Sequence, residues 1–301
     1  MDHFQYRDGV LHAEDVAVSE IANRHGTPCF IYSRATLVRH YHAYADALSD
    51  VPHLICYGMK ANSNLAVLQL LAKEGAGFDI VSIGELERVI KAGGDPRKIV
   101  FSGVGKQRHE MQRALQVGIH CFNVESLAEL EQLNSVASEL DMVAPVSLRI
   151  NPDVDPKTHP YISTGLKENK FGVNNKTLIE LVNYCKNSKN IKLKCLSVHI
   201  GSQILDYRPY EKMLKVLDKI LNIIDHKFEF IDLGGGMGIS YDDKTKKLNY
   251  KKYNIAIKKF LKKHYSKIIF EPGRSIIGNT GILISKIVYI KKSEKKNFII
   301  L

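Results

Sequence analysis

The sequence predicts an α/β chain built around a (β/α)8, TIM-type barrel. Three observations carry that prediction. Short apolar, β-branched runs recur eight times, and each is followed by a segment with helical hydrophobic spacing. The whole series fills roughly the 250 residues that such a barrel takes. The runs are continuous rather than alternating, as expected of a parallel sheet buried on both faces.

In order, the runs are LICYGMK (54–60), GFDIVS (77–82), KIVFSGV (98–104), HCFNV (120–124), APVSLRI (144–150), LKCLSVHI (193–200), FEFIDL (228–233) and KIIFEP (267–272). Ahead of them, AEDVAVSEIANRHGTP (13–28) predicts one helix, stopped by Gly26 and Pro28. Ser82-x-x-Glu85 predicts a capping box, Gly93-Gly94 the end of the same helix, and Ser126-x-x-Glu129 a second box. Beyond the eighth run, GILISKIVYIKKSEKKNFIIL (281–301) predicts two strands joined by a lysine-rich turn, the last strand having no partner in view. The expected division is 1–26 as an N-terminal segment packing on a β-domain, 27–275 as the barrel, and 276–301 as the start of a mostly missing C-terminal β-domain.

Composition narrows the function classes. The 301 residues are 45% apolar and 25% charged, ordinary for a globular protein. No apolar core follows a basic N-terminus, and no run approaches the roughly 18 apolar residues of a membrane helix, so a cytoplasmic protein is expected. Five cysteines without a C-x-x-C pair read as reduced core thiols, and no metal site is indicated. The net charge of +11 divides into −4 over 1–174 and +15 over 175–301. The excess lysines sit on amphipathic segments such as YNIAIKKFLKKHY, the pattern of a solvated helix face, so nucleic acid is not expected as a partner.

The stretch FIDLGGGMGI (230–239) runs a strand into three glycines. Taken alone it allows a dinucleotide site, a methyl-donor site, a phosphate loop or a tight turn. Its surroundings favour the phosphate loop. Barrel chemistry gathers at the C-terminal ends of the strands, where Lys60, Ser82, Arg149, His199, Gly234, Gly235, Gly236 and the EPGR of 271–274 fall. A lysine buried at a strand end suits a Schiff base with an aldehyde cofactor. Barrel phosphate sites commonly use the loops after strands 7 and 8, and glycine N–H groups at a helix start would complete one. Pyridoxal 5′-phosphate (PLP) satisfies both demands. Glu271 against its pyridine nitrogen would favour a strong electron sink and hence decarboxylation; otherwise Glu271 caps a helix or sits on the surface as a carboxylate. Arg274 suits a substrate carboxylate or a surface ion pair. His199 stacks on a cofactor ring or sits satisfied in the core, and Arg149 meets the ring oxygen or an acid inside the barrel.

YGMKAN (57–62), SVHIGSQ (197–203), DLGGGMGI (232–239) and EPGR (271–274) resemble the PLP-dependent decarboxylases of the alanine-racemase-like fold, and ISTGLKENKFG (162–172) resembles the diaminopimelate-cleaving branch. The resemblance implies Lys60 as the Schiff-base lysine, His199 on the ring, Gly236 and its neighbours on the phosphate, Glu271 at the pyridine nitrogen and Arg274 on substrate. Asp79, Ser202 and Gly273, with Ser82 and Arg149, complete the expected cofactor-binding set. It further implies a homodimer with shared active sites, and loss of carbon dioxide from meso-diaminopimelate to give L-lysine. Other basic amino-acid decarboxylases and a non-catalytic PLP-binding barrel are the rivals. In the family a β-domain supplies a further substrate arginine, a cysteine–glutamate pair and a tyrosine. The expectation is therefore that the 301 residues hold the cofactor without full activity.

Overall fold

All eight apolar runs close into one parallel barrel. The computed structural model describes residues 3–156, 170–242 and 248–301. The barrel strands are β1 (His53–Gly58), β2 (Gly77–Ile80), β3 (Ile99–Phe101), β4 (Cys121–Val124), β5 (Ala144–Ile150), β6 (Ile191–Val198), β7 (Phe230–Asp232) and β8 (Lys267–Phe270). They pair in chain order, and β8 returns to β1 with Ile268 opposite His53. Helices such as Leu65–Lys73 and Arg208–Ile223 lie between strands and bury their apolar faces against the outside of the sheet.

Side chains alternate in direction along a strand, so the inward series can be read two residues at a time. Cys56, Val100, Cys121, Cys195 and Ile269 form a small cluster separate from the main core, filling the inside of the barrel. Burial pushes the Cys56 and Cys195 thiols well above their ordinary range, so they act as small apolar side chains. Two residues further along the same segments stand Ser102, Asn123, Ser197 and Glu271, joined by Asp79, Arg149 and Asp232 from β2, β5 and β7. The interior thus turns from apolar to polar toward the strands' C-terminal ends.

Both chain ends depart from expectation. The helix expected over 13–28 covers only Val18–His25, because Phe4–Arg7, Val10–Ala13 and Val16–Ala17 form an antiparallel sheet. Asp8 and Gly9 turn the first hairpin with φ of 48° and 78°, the left-handed pair a tight turn needs. The segment 281–301 holds three strands instead of two. Gly281–Ile284 pairs with Cys29–Tyr32, a strand the sequence reading missed. Tyr289–Lys292 and Asn297–Ile300 form the hairpin with the lysine-rich turn, so the last strand is paired after all. The two serine caps form, with Ser82 and Ser126 accepting from Glu85 and Glu129 N–H at 3.3 and 3.2 Å. Neither box is reciprocal: each glutamate reaches one residue too far upstream, to Val81 and Glu125 N–H.

The opposite, N-terminal rim carries an acid-sensitive contact. His120 Nδ1 lies 3.1 Å from Arg97 O, and its ring meets Phe230 edge-on at 4.7 Å. Its Nε2 is buried with no partner among the described residues. Burial, then the nearby Lys194 charge, lowers its pKa to about 4. The unfolded chain therefore takes the proton first. Stability is full above pH ~6.5 and falls as pH drops through about 4, by up to about 3 kcal/mol. Urea denaturation across that range should show the loss in the wild type and a much smaller one in His120→Gln.

Candidate active site

Gly58 ends β1 with its N–H donating to Pro272 O at 3.1 Å, and a single 3-10 turn, Met59–Ala61, follows. That turn lifts Lys60 out of the sheet. The lysine is exposed at the rim, not buried at a strand end as expected. Tyr57 Oη donates to Asn62 O at 3.1 Å and fixes the turn from below. The Lys60 charge acts on Asp79, Glu85 and His199, which places it over the polar mouth of the barrel.

The glycines do not open a helix; the next described helix begins at Tyr250. Residues 234–239 instead run beside 201–204. Ile204 N–H donates to Gly236 O at 2.9 Å and Gly238 N–H to Ile204 O at 3.0 Å. The Gln203 amide clamps Ile239 from both sides, at 2.7 and 3.2 Å. Ser202 lies half-buried in this stitched segment. The lack of side chains is a packing requirement here. A Cβ on Gly235 would sit 2.0 Å from Glu271 O, and one on Gly236, whose φ is +87°, 2.1 Å from Gly201 O. Tyr210 Oη, fully buried, donates to Gly235 O at 3.0 Å and backs the loop.

His199 ties the loop to β6. Its Nδ1 accepts from Gly235 N–H at 3.2 Å. Burial, then the Lys60 and Arg149 charges, holds its pKa well below the ordinary value, so the ring is neutral with its hydrogen on Nε2.

Glu271 does not cap a helix and is half-buried. It points into the barrel, where Asn123 Nδ2 donates to it at 3.3 Å and Asp232 shares a side-chain hydrogen bond with it. Burial first, then the Asp232 and Asp79 charges, pushes its carboxyl well above the usual range. Burial also raises Asp79, against the pull of Lys60. Arg149 meets an acid, with Nη1 donating to Glu125 at 3.0 Å and its guanidinium over the Phe171 ring at 5.0 Å. Gly172 N–H donates to the other Glu125 oxygen at 2.9 Å. Of the expected 162–172 signature, residues 162–169 lie outside the described ones.

Three expected residues sit at the edge of this arrangement. The Ser82 hydroxyl is occupied as a helix cap. Gly273 precedes the short helix Arg274–Ile277, and a Cβ there would lie 3.1 Å from Ala61 Cβ. Arg274 Nη1 donates to the Tyr241 hydroxyl at 2.5 Å, and among the described residues no carboxylate pairs with it. Sequence reading passed over Asn123, Glu125 and Asp232. The signal that could have found them is the two-residue period, since each shares strand parity with an inward residue of its own or a neighbouring strand.

Comparison with known proteins agrees with this geometry. Residues 34–278 match the family described as pyridoxal-dependent decarboxylase, pyridoxal binding domain. The diaminopimelate decarboxylase of Pseudomonas aeruginosa is 51% identical over the whole of this chain and 73% of its own length. That of Haemophilus influenzae is 48% identical with the same coverage. Among solved structures, Helicobacter pylori diaminopimelate decarboxylase complexed with L-lysine aligns with TM-score 0.89 and 42% identity over 93% of this chain and 71% of that one. The M. jannaschii enzyme aligns at 0.91 and 32% over 99% and 72%. Read with the barrel, its rim lysine and its glycine loop, these matches make the chain a member of the pyridoxal-dependent decarboxylase family, in its diaminopimelate decarboxylase branch.

Proposed function

We propose that this chain binds PLP through Lys60 and serves the decarboxylation of meso-diaminopimelate to L-lysine and carbon dioxide. The observation that carries the reading is the meeting, on one barrel rim, of an exposed amine, a side-chain-free loop and a half-buried acid aimed into the mouth. That donor set fits the cofactor: an amine for its aldehyde, a bare backbone for its phosphate, an acid for its ring nitrogen. When bound, the cofactor supplies the electron sink for the carbanion left as carbon dioxide departs.

The chain's own groups do the rest. With PLP bound, Lys60 would hold the cofactor by its aldehyde carbon. Gly234, Gly235 and Gly236 receive the phosphate, with Ser202 alongside. Neutral His199 presents an uncharged ring face and adds no positive charge beside Lys60. Glu271 holds a proton at the pyridine nitrogen, while Asp79 and Arg149 set the local charge. Arg274, with Ser82 and Gly273 bordering, orients a substrate carboxylate. A homodimer and the division at residues 26 and 275 belong to the same reading, and sedimentation velocity tests the former.

Adding PLP to the purified chain should produce a visible absorbance band that Lys60→Ala abolishes. Release of labelled carbon dioxide from meso-diaminopimelate should fall at least about 100-fold in that variant. A band unaffected by Lys60→Ala would refute the anchor.

A further inference from the structure

Asp232 stands between the two ends of the proposed cofactor site. Its Oδ1 accepts from Gly234 N–H at 2.8 Å, at the glycine loop. Its Oδ2 faces Asn123 Nδ2 at 3.4 Å, and its carboxylate hydrogen-bonds Glu271. The same Asn123 nitrogen lies 3.3 Å from Glu271 Oε1 and 3.0 Å from Ser102 Oγ. Asp232 and Asn123 are 1% and 2% exposed, so their contact is shielded from water. Asn123 Oδ1 is itself buried without a partner among the described residues. With no cation beside them, two carboxyl groups in hydrogen-bond contact do not both ionise, because the second charge would face the first poorly screened.

We propose that Asp232 is a positioning residue that keeps one proton on Glu271 in the cofactor-free barrel, and that Glu271 hands this proton to the cofactor's pyridine nitrogen. The inference deepens the PLP reading and rests on it. The side on which the proton sits follows from the contacts. Asp232 has both the Gly234 N–H and the Asn123 amide to stabilise a charge, whereas Glu271 shares only the latter. Asp232 is therefore the acceptor and Glu271 the donor. Burial raises both acids, Asp232 to about 6. Asp79 and Arg149 are the charged neighbours facing the pair, of opposite sign. Cys56, Cys121 and Cys195 beneath it, and Tyr253 behind it, stay un-ionised through burial. The transfer balances: the Glu271 O–H breaks, an N–H forms on the pyridine nitrogen, and the new carboxylate faces the new pyridinium. Asp232 keeps its charge throughout.

Two measurements test this without activity. The first uses pyridoxamine phosphate, which has no aldehyde and so leaves Lys60 out of the proton count. It is titrated calorimetrically into the wild-type chain, in two buffers of different ionisation enthalpy, above the pyridinium pKa of the free ligand. Near-zero proton uptake is expected, because Glu271 supplies the proton. Uptake of one proton per site overturns the proposal. The second follows PLP labelled with nitrogen-15 in the ring by NMR across pH. Asp232→Asn keeps an oxygen for Gly234 N–H but removes the charge, so the pyridinium should lose its proton at least one pH unit lower, about a tenfold change. An unchanged midpoint means Asp232 is only structural. Should Asp232→Asn fail to fold, the wild-type proton count decides. If the wild type binds neither ligand, the PLP reading falls with the inference. If it binds and Asp232→Asn titrates normally, the inference falls alone.

Discussion

Gly235→Ala is expected to abolish cofactor binding and weaken the barrel. The added methyl would lie 2.0 Å from Glu271 O and 2.8 Å from its carbonyl carbon, both backbone atoms that no rotamer can move aside. Relief requires β7 and β8 to separate at the point where Glu271 N–H donates to Gly234 O at 2.8 Å. The same movement would shift Glu271 against Asp232 and carry the loop off His199. Overpacking of this kind costs about 3 kcal/mol or more when backbone must give. PLP affinity should drop at least about 100-fold. Gly84→Ala is the control: its methyl would meet only Ser82 Oγ at 3.8 Å, and alanine in a helix gains up to about 1 kcal/mol over glycine. Urea denaturation and a PLP titration on the two variants check both expectations. Gly235→Ala binding PLP within a few-fold of wild type would show the loop to be uninvolved.

The contrast between those glycines bears on what the sequence could reveal. The barrel was legible because its strands are covered on both faces, leaving runs such as the IIF of 268–270 with nothing polar to obscure them. The N-terminal sheet was not, since Phe4–Arg7 buries only Phe4 and its polar residues mask the strand. Its Asp8-Gly9 turn was the available clue. Cys29–Tyr32 finds its partner some 250 residues later in Gly281–Ile284, a pairing no local pattern announces. In the site, Lys60, His199, the glycines and Glu271 were readable from residue type and position at strand ends. Asn123 and Asp232 were not, because a polar residue inside an apolar strand reads as noise until the strand's inward parity is known. The expected helix after the glycines failed for a related reason: the loop's backbone groups are paired with 201–204, a contact set by the neighbouring strand.

The largest stability loss is expected from breaking the ion pair behind Asn123. The Lys106 ammonium is completely buried and donates to Glu129 Oε1 at 2.6 Å, Gly103 O at 2.6 Å and Asn123 O at 2.7 Å. All three of its hydrogens are used. Glu129→Ala leaves that charge in the interior with two carbonyls and no counter-ion, at a cost of about 3–5 kcal/mol. It also removes the acceptor for Glu125 N–H, at 2.8 Å, beside the Glu125–Arg149 pair. Lys106→Met strands the carboxylate instead and should cost a similar amount. Lys106→Met combined with Glu129→Leu leaves neither charge unpaired, so its loss should fall well short of the two single losses added together. Equal, additive losses would mean that the charges do not act as a pair. The pair also reaches the chemistry through one residue. Lys106 holds the Asn123 carbonyl while the Asn123 amide spans Ser102, Asp232 and Glu271. The double variant should therefore recover stability without recovering tight PLP binding, because methionine fills the space of lysine but offers Asn123 no hydrogen bond.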